Sequence, residues 1–302
     1  MKKLIISTLL YMVVSVTSWA QQDPIYGLYM NAPLLVNPAY AGLHKHTSIS
    51  VAYRAQWSGF EGAPTTAALS AYTGFVKQRA GVGLNVIQDK QGVRKNTEIN
   101  LVYGYRLPAG KKGNIIFGLQ GSIISTRNDY QSLSVRDPDP VFNQNVSAII
   151  PNVGAGLIYS EPRFFFGLSV PRILSGNVET KDIQVSYYEP HLYATLAAVI
   201  PITTSLDFKP STLLRAAEGL PLSYDLRSDL LINKKFGVGI FTRSLNTYGL
   251  ALGFFSTRKF RIAYQFELPA SNRSLTGFNT HELALSINTT LFRGQDLYFK
   301  YF

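Results

Sequence analysis

The feature that most constrains this chain is a period-two alternation whose polar phase is small rather than charged. From Arg258 to Leu268, Phe260, Ile262, Tyr264, Phe266 and Leu268 alternate with Arg261, Ala263, Gln265 and Glu267. Leu283, Leu285, Ile287 and Leu291 alternate with Glu282, Ala284, Ser286 and Asn288, and Ile99, Leu101, Tyr103 and Tyr105 with Glu98, Asn100, Gly104 and Arg106. Successive side chains of a strand point to opposite faces, so each segment reads as a strand with one apolar and one polar or tiny face. About fourteen such segments can be drawn between Thr47 and Phe292, most of them ~8–13 residues long, the length of tilted membrane strands. Twelve or sixteen strands fit the same pattern.

The two faces choose between a soluble sandwich and a barrel in lipid. A sandwich hides its apolar face and covers the other with Lys and Glu. Here only 16% of residues are charged, and the second face is Gly, Ala, Ser, Asn and Gln. Rows such as Gly249-Ala251-Gly253, Gly237-Gly239 and Gly81-Gly83 suit a crowded lumen, and Tyr103/Tyr105, Phe164/Phe166 and Tyr264/Phe266 suit an interfacial aromatic girdle. The alternation also explains a mean hydropathy near zero, +0.05, because the two halves cancel. Connectors divide into tight (Ser160 to Arg163; Ser244 to Asn246) and long (Arg127 to Val146; Ser175 to Ser186). The expected fold is an all-β, transmembrane antiparallel outer-membrane barrel of about fourteen strands, with a plug-like N-terminal segment.

Residues 1–20 read as a secretory signal peptide: Lys2 and Lys3, an apolar run from Leu4 to Val16, then Ser18-Trp19-Ala20 for cleavage. Removing it takes the formal charge from +11 to +9, since it carries two lysines. Residues 21–45 lack alternation and contain Pro24, Pro33 and Pro38, so they precede the first strand and are a candidate to tuck into the lumen. Residues 46–302 form the barrel, with no linker and no internal repeat. With no cysteine there is no disulfide, lipid anchor, thiolate metal site or cysteine nucleophile.

The N-terminal region carries the most specific signal. Gln22-Asp23-Pro24-Ile25-Tyr26, Tyr29-Met30-Asn31, Asn37-Pro38-Ala39-Tyr40-Ala41-Gly42, Tyr53-Arg54-Ala55-Gln56-Trp57-Ser58-Gly59-Phe60 and Gly62-Ala63-Pro64-Thr65 stand in the order and spacing of the PorP/SprF family of Bacteroidetes, which this chain resembles. That resemblance implies a non-enzymatic outer-membrane barrel associated with type IX secretion. It would bind, and help export or anchor, a cell-surface adhesin carrying a type B C-terminal domain, in the service of gliding or adhesion. The implied partners are that adhesin, the secretion machinery, a periplasmic peptidoglycan-binding lipoprotein, and the lipid bilayer with its lipopolysaccharide. No cofactor or metal is expected. The alternative on the same strands is an outer-membrane porin or hydrophobic-solute transporter.

Candidate binding residues are Asp23, Asn37, Pro38, Tyr40, Gly42, Arg54, Trp57 and Gly59. Asn-Pro and Gly in the Asn37–Gly42 block are turn formers, so the block reads either as a structural turn or as a recognition segment. Alternation sends Arg54 into the lumen, where a carboxylate such as Asp23 could meet it, and Trp57 to the membrane boundary. Asp225, Arg227 and Asp229 share a face, either as a self-neutralising ladder or as a polar track for an inserted peptide or solute. His44 and His46 read as a solvated loop, because no carboxylate cluster completes a metal site. His191 follows a proline, as at a strand edge. The Gly-x-Gly pairs lack the strand–loop–helix unit of a nucleotide site. Asp137 and Asp139, spaced by prolines, offer too few oxygens for calcium. Scattered Lys and Arg argue against nucleic acid and for lipopolysaccharide phosphates or an acidic protein. The terminal Phe302 resembles an outer-membrane assembly signal.

Overall fold

A computed structural model describes residues 26–77, 79–132, 145–180, 183–256, 259–270, 277–297 and 301–302, with the backbone alone for 176–180 and 183–188. The proposed signal peptide, Asp23, Asp137 and Asp139 lie outside the described residues. Among the described residues seventeen strands follow in order: β1 (Thr47–Ala55), β2 (Thr65–Phe75), β3 (Ala80–Gln91), β4 (Arg94–Ala109), β5 (Gly113–Asn128) and β6 (Val146–Ser160). Then come β7 (Phe164–Val170), β8 (Gly176–Thr180), β9 (Ile183–Tyr188), β10 (His191–Ala198), β11 (Ile200–Pro201) and β12 (Leu206–Ala217). The last are β13 (Ser223–Ile232), β14 (Phe236–Arg243), β15 (Thr247–Ser256), β16 (Phe260–Pro269) and β17 (Thr280–Thr289).

Fourteen of these form one closed antiparallel ring: β1 to β7, β10, and β12 to β17. The pairings of β10 with β12 and of β1 with β17 leave no free edge. β11 is a two-residue extension beside β12, and β8 with β9 makes a separate hairpin. The hairpin occupies the connector expected to be a plain loop from Ser175 to Ser186.

The burial pattern is inside out. On β1, Ser48, Ser50, Ala52 and Arg54 are buried, while Ile49, Val51 and Tyr53 are 45–50% exposed. Leu101, Leu119, Ile149 and Ile240 continue the apolar outer face around the ring. Such a belt is stable against hydrocarbon and not against water. No described helix is long and apolar enough to cross a membrane.

The connections differ between the two rims. One rim carries the short connections 76–79, 110–112, 161–163, 233–235 and 257–259 and one of intermediate length, 199–205. The opposite rim carries the long connections 56–64, 129–145, 171–190 and 270–279, together with the shorter 92–93, 218–222 and 244–246. The two tight connectors read from the sequence fall on opposite rims: Ser160–Arg163 is on the short-turn side, but Ser244–Asn246 belongs to the long-loop side. Turn length is set locally, whereas the rim depends on how many strands precede the turn.

Residues Tyr26 to His44 run inside the ring and are mostly buried. They form a 3-10 turn (Pro33–Leu35), with proline at its first position, and a single helical turn, α1 (Tyr40–Leu43). The wall accommodates them through glycines on inward positions of neighbouring strands. A Cβ on Gly74, Gly81, Gly104 or Gly118 would overlap the backbone of His44, Ala41, Gly42 or Ala39 respectively. Here glycine is required for close backbone approach rather than for a turn.

Candidate functional site

The inward face of β1, β12, β13, β14, β16 and β17 carries a buried ion network. Arg54 donates to Glu267 at 2.6 and 2.7 Å and to Glu282 at 2.9 Å. Arg243 donates to Glu267 at 3.0 Å and to Asp225 at 2.9 Å, and Asp225 also accepts from Arg215. Arg227 pairs with Asp229 at 2.8 Å and reaches Gln265 at 3.0 Å, and Gln265 donates to Glu267 at 2.7 Å. Four guanidinium groups thus face four carboxylates, which is how charge persists where water is scarce.

This network also grips the luminal segment. The Glu282 carboxylate accepts the backbone N–H of Gly27 and of Leu28, each at 2.9 Å. Further along, Asn85 donates to the Leu34 carbonyl at 3.0 Å, Ser169 to that of Val36 at 2.8 Å, and Arg106 to that of Leu43 at 3.2 Å. Across the ring, Pro171 and Arg172 are also buried. Arg172 pairs with Glu98 at 2.7 Å, and Gln120 and Asn152 donate to the carbonyls of Pro171 and Leu174. Unsatisfied main-chain groups of irregular segments are therefore met by inward polar side chains.

Four of the candidate residues come together here. Asn37 donates to the carbonyls of Leu157 and Leu168, at 3.2 and 3.1 Å, and accepts from the N–H of Ala39 at 2.9 Å. Pro38 is fully buried beside it, and Tyr40 stacks on Phe165 with centroids 5.3 Å apart. Gly42 lies against Gly104. Arg54 points inward as expected, but its partners are the wall carboxylates Glu267 and Glu282. Trp57 lies beyond the strand. β1 ends at Ala55, and Trp57 sits in the following loop with φ of 51°, so alternation along the strand does not assign its face. Gly59 is exposed in the same loop with φ of 93° and lies apart from the lumen cluster.

Asp225, Arg227 and Asp229 do share the inward face. The histidine reading is corrected: His44 and His46 are buried, not solvated, and stack at 4.9 Å beside Tyr72. Both sit where the luminal segment joins β1, so packing around that junction takes them out of water. Among the described residues no group of three or more His, Asp or Glu side chains is placed to hold a metal. Phe302 lies beyond the last wall strand and turns inward, packing on Phe165 at 5.5 Å with the Lys209 ammonium 5.2 Å from its ring. Sequence reasoning missed the role of Glu267 and Glu282. Both were visible as polar-phase residues, but the partner they share, Arg54, lies more than two hundred residues away.

A closed fourteen-stranded ring with an apolar exterior and an occupied, charge-paired interior defines an outer-membrane β-barrel. The chain belongs to the PorP/SprF family of type IX secretion system membrane proteins, whose model matches residues 18–287. No curated protein sequence matches it. Its fold is similar to that of a Pseudomonas aeruginosa FadL homologue, at 11% identity over 87% of this chain and 94% of that one, with a TM-score of 0.51. It is also similar to a ΔS2 mutant of TodX, the toluene transporter of Pseudomonas putida, at 10% identity over 87% and 94%, with a TM-score of 0.50. The protein is therefore a multi-pass outer-membrane barrel of the type IX secretion system.

Proposed function

We propose that this barrel is a non-enzymatic holder for a secreted adhesin carrying a type B C-terminal domain, helping to export it or anchor it at the cell surface. The observation that carries the reading is the filled lumen. Residues Tyr26 to His44 occupy it and are bonded to strands around the ring. A solute would have to displace them, whereas a rigid filled cylinder can hold a partner on its loops without opening. In this reading Asn37, Pro38, Tyr40 and Gly42 serve as the plug's fastening, and Trp57 and Gly59 belong to the partner-facing rim. Gliding or adhesion, and contact with a periplasmic peptidoglycan-binding lipoprotein, follow from the same family role.

Deleting the gene tests it. The expected result is loss of one adhesin from the surface while general type IX secretion continues. Unchanged display of every adhesin would overturn the proposal. A second reading, a hydrophobic-solute transporter, is favoured by one observation: an apolar concavity of about 870 Å³ on the outer face of β10 and β12 to β16, lined by Leu196, Leu226, Ile240, Leu250 and Phe266. Solute uptake that depends on this protein would establish it.

A further inference from the structure

Among the described residues, the charge of the connections is segregated by rim. The tight turns carry cations in pairs: Lys77 and Arg79, Lys111 and Lys112, Lys234 and Lys235, all exposed. Arg163 and Lys259 add one each, and Lys45 and Arg293 flank the two ends of the wall on the same side. Only Glu161 and Asp296 oppose these ten among the described residues of that rim. The connections of the opposite rim show the reverse. Their described acids are Glu61, Asp129, Glu189 and Glu218, and their one described cation, Arg172, is buried against Glu98. Cations on that side stand on strand ends, as Lys90, Lys95 and Arg127 do, rather than in the turns.

A second observation places the cationic ring relative to the bilayer. Aromatic residues of the lipid-facing wall adjoin most of the turns that carry it. Phe164 follows Arg163, Phe236 follows Lys235, Phe260 follows Lys259, and Phe292 precedes Arg293. Phe164, Phe236 and Phe292 are 38–50% exposed. Phe75 packs on Phe292 at 5.3 Å and Phe236 on Phe254 at 5.2 Å, so the aromatics form a partial girdle. Aromatic girdles mark the boundary between hydrocarbon and headgroups, so cations one or two residues beyond sit at phosphate depth.

We propose that the short-turn rim is a binding surface for anionic phospholipid headgroups of the periplasmic leaflet. Short turns face the periplasm in barrels of this kind. That places the ring on the side away from lipopolysaccharide, so the phosphates within its reach are those of phospholipids. Lysine pairs suit this ligand, because flexible ammonium groups neutralise phosphate as point charges without requiring one geometry. Their repetition around the circumference matches a ligand that surrounds the barrel, where a protein partner would meet one side.

The test uses the full-length barrel in bilayer nanodiscs of phosphatidylglycerol and phosphatidylethanolamine, with retained lipid read by native mass spectrometry after gentle detergent release. Each cation near a charged surface is worth about a fivefold change in partition. Lys77→Gln with Lys111→Gln, Lys112→Gln, Lys234→Gln and Lys235→Gln should therefore lower phosphatidylglycerol enrichment at least tenfold. Lys90→Gln with Lys95→Gln and Arg127→Gln, on the other rim, should leave it within twofold. Should the fivefold variant fail to fold by heat-modifiable migration, Lys111→Gln with Lys112→Gln alone is expected to lower enrichment severalfold. Equal loss in both sets, or no preference for phosphatidylglycerol in the unaltered protein, would overturn the proposal. So would unchanged lipid retention accompanied by loss of a co-purifying acidic periplasmic protein, which would assign the ring to that protein.

Discussion

Replacing Glu282 with Gln should free the luminal segment while leaving the wall intact. The carboxylate receives two backbone N–H groups and one guanidinium N–H. Glutamine keeps one oxygen but turns an NH2 toward a group that already donates, so one main-chain bond is lost and the other weakens. Charge-assisted bonds contribute about 1.5–3 kcal/mol each, so a loss of about 2–4 kcal/mol follows for the segment's hold. That corresponds to roughly a 30- to 1,000-fold rise in the open population. The chain contains no cysteine, so Ala32→Cys supplies a single reporter thiol at a position only 4% exposed. When reclosing outpaces labelling, the rate of maleimide modification follows the open population. Glu282→Gln should raise that rate by the stated factor, and Glu98→Gln, whose partner is Arg172, should not. A rate within twofold of the unaltered protein, with heat-modifiable migration preserved, would show that Glu282 does not hold the segment.

Three further outcomes follow from the same geometry. Gly104→Leu places a side chain where Gly42 lies, so thiol labelling at Ala32→Cys should rise sharply while the barrel still forms; unchanged protection would mean that the close approach is not required. Arg54→Met leaves Glu267 and Glu282 short of a buried cation and should destabilise the barrel by about 3–5 kcal/mol, read as a lower urea midpoint of unfolding from vesicles. An unshifted midpoint would argue that Arg243 alone suffices. Leu250→Arg, on the outer face of β15, should reduce folding stability in lipid by about 2–4 kcal/mol, and no loss would remove β15 from the hydrocarbon.

The wall was legible because lipid and lumen impose opposite demands on alternate residues, and every strand must obey both. Phe260 to Leu268 and Glu282 to Asn288 show this in full, and the ring closes on the expected fourteen strands. The luminal segment was legible only as a lack of pattern. Pro33 and Pro38 exclude a strand, yet nothing local says that Ala39 to Gly42 will lie on a track of wall glycines. The glycines themselves were visible, and their purpose depended on what would fill the space. Arg54 could be aimed but not paired, since direction follows from alternation along β1 while Glu267 and Glu282 arrive through closure of the whole ring. Trp57 lies two residues past the end of β1, where alternation along the strand no longer assigns a face.

Glu282 stands on the last wall strand and Arg54 on the first, and their ion pair crosses the joint where Thr47↔Thr289 through Ala55↔His281 are matched. Bringing such distant strands together carries a loop-closure entropy of about 5 kcal/mol before any ladder bond forms. The segment gripped by Glu282 enters β1 directly, so it travels with the strand that must find this joint. Once the wall has closed, the segment can reach its seat only through an end of the cylinder, and it is tethered at the end where β1 begins. Sealing the cylinder and loading it are therefore tied to one strand. A barrel that closes empty leaves the Glu282 carboxylate, at its own seam, without the two main-chain N–H groups that the filled barrel supplies.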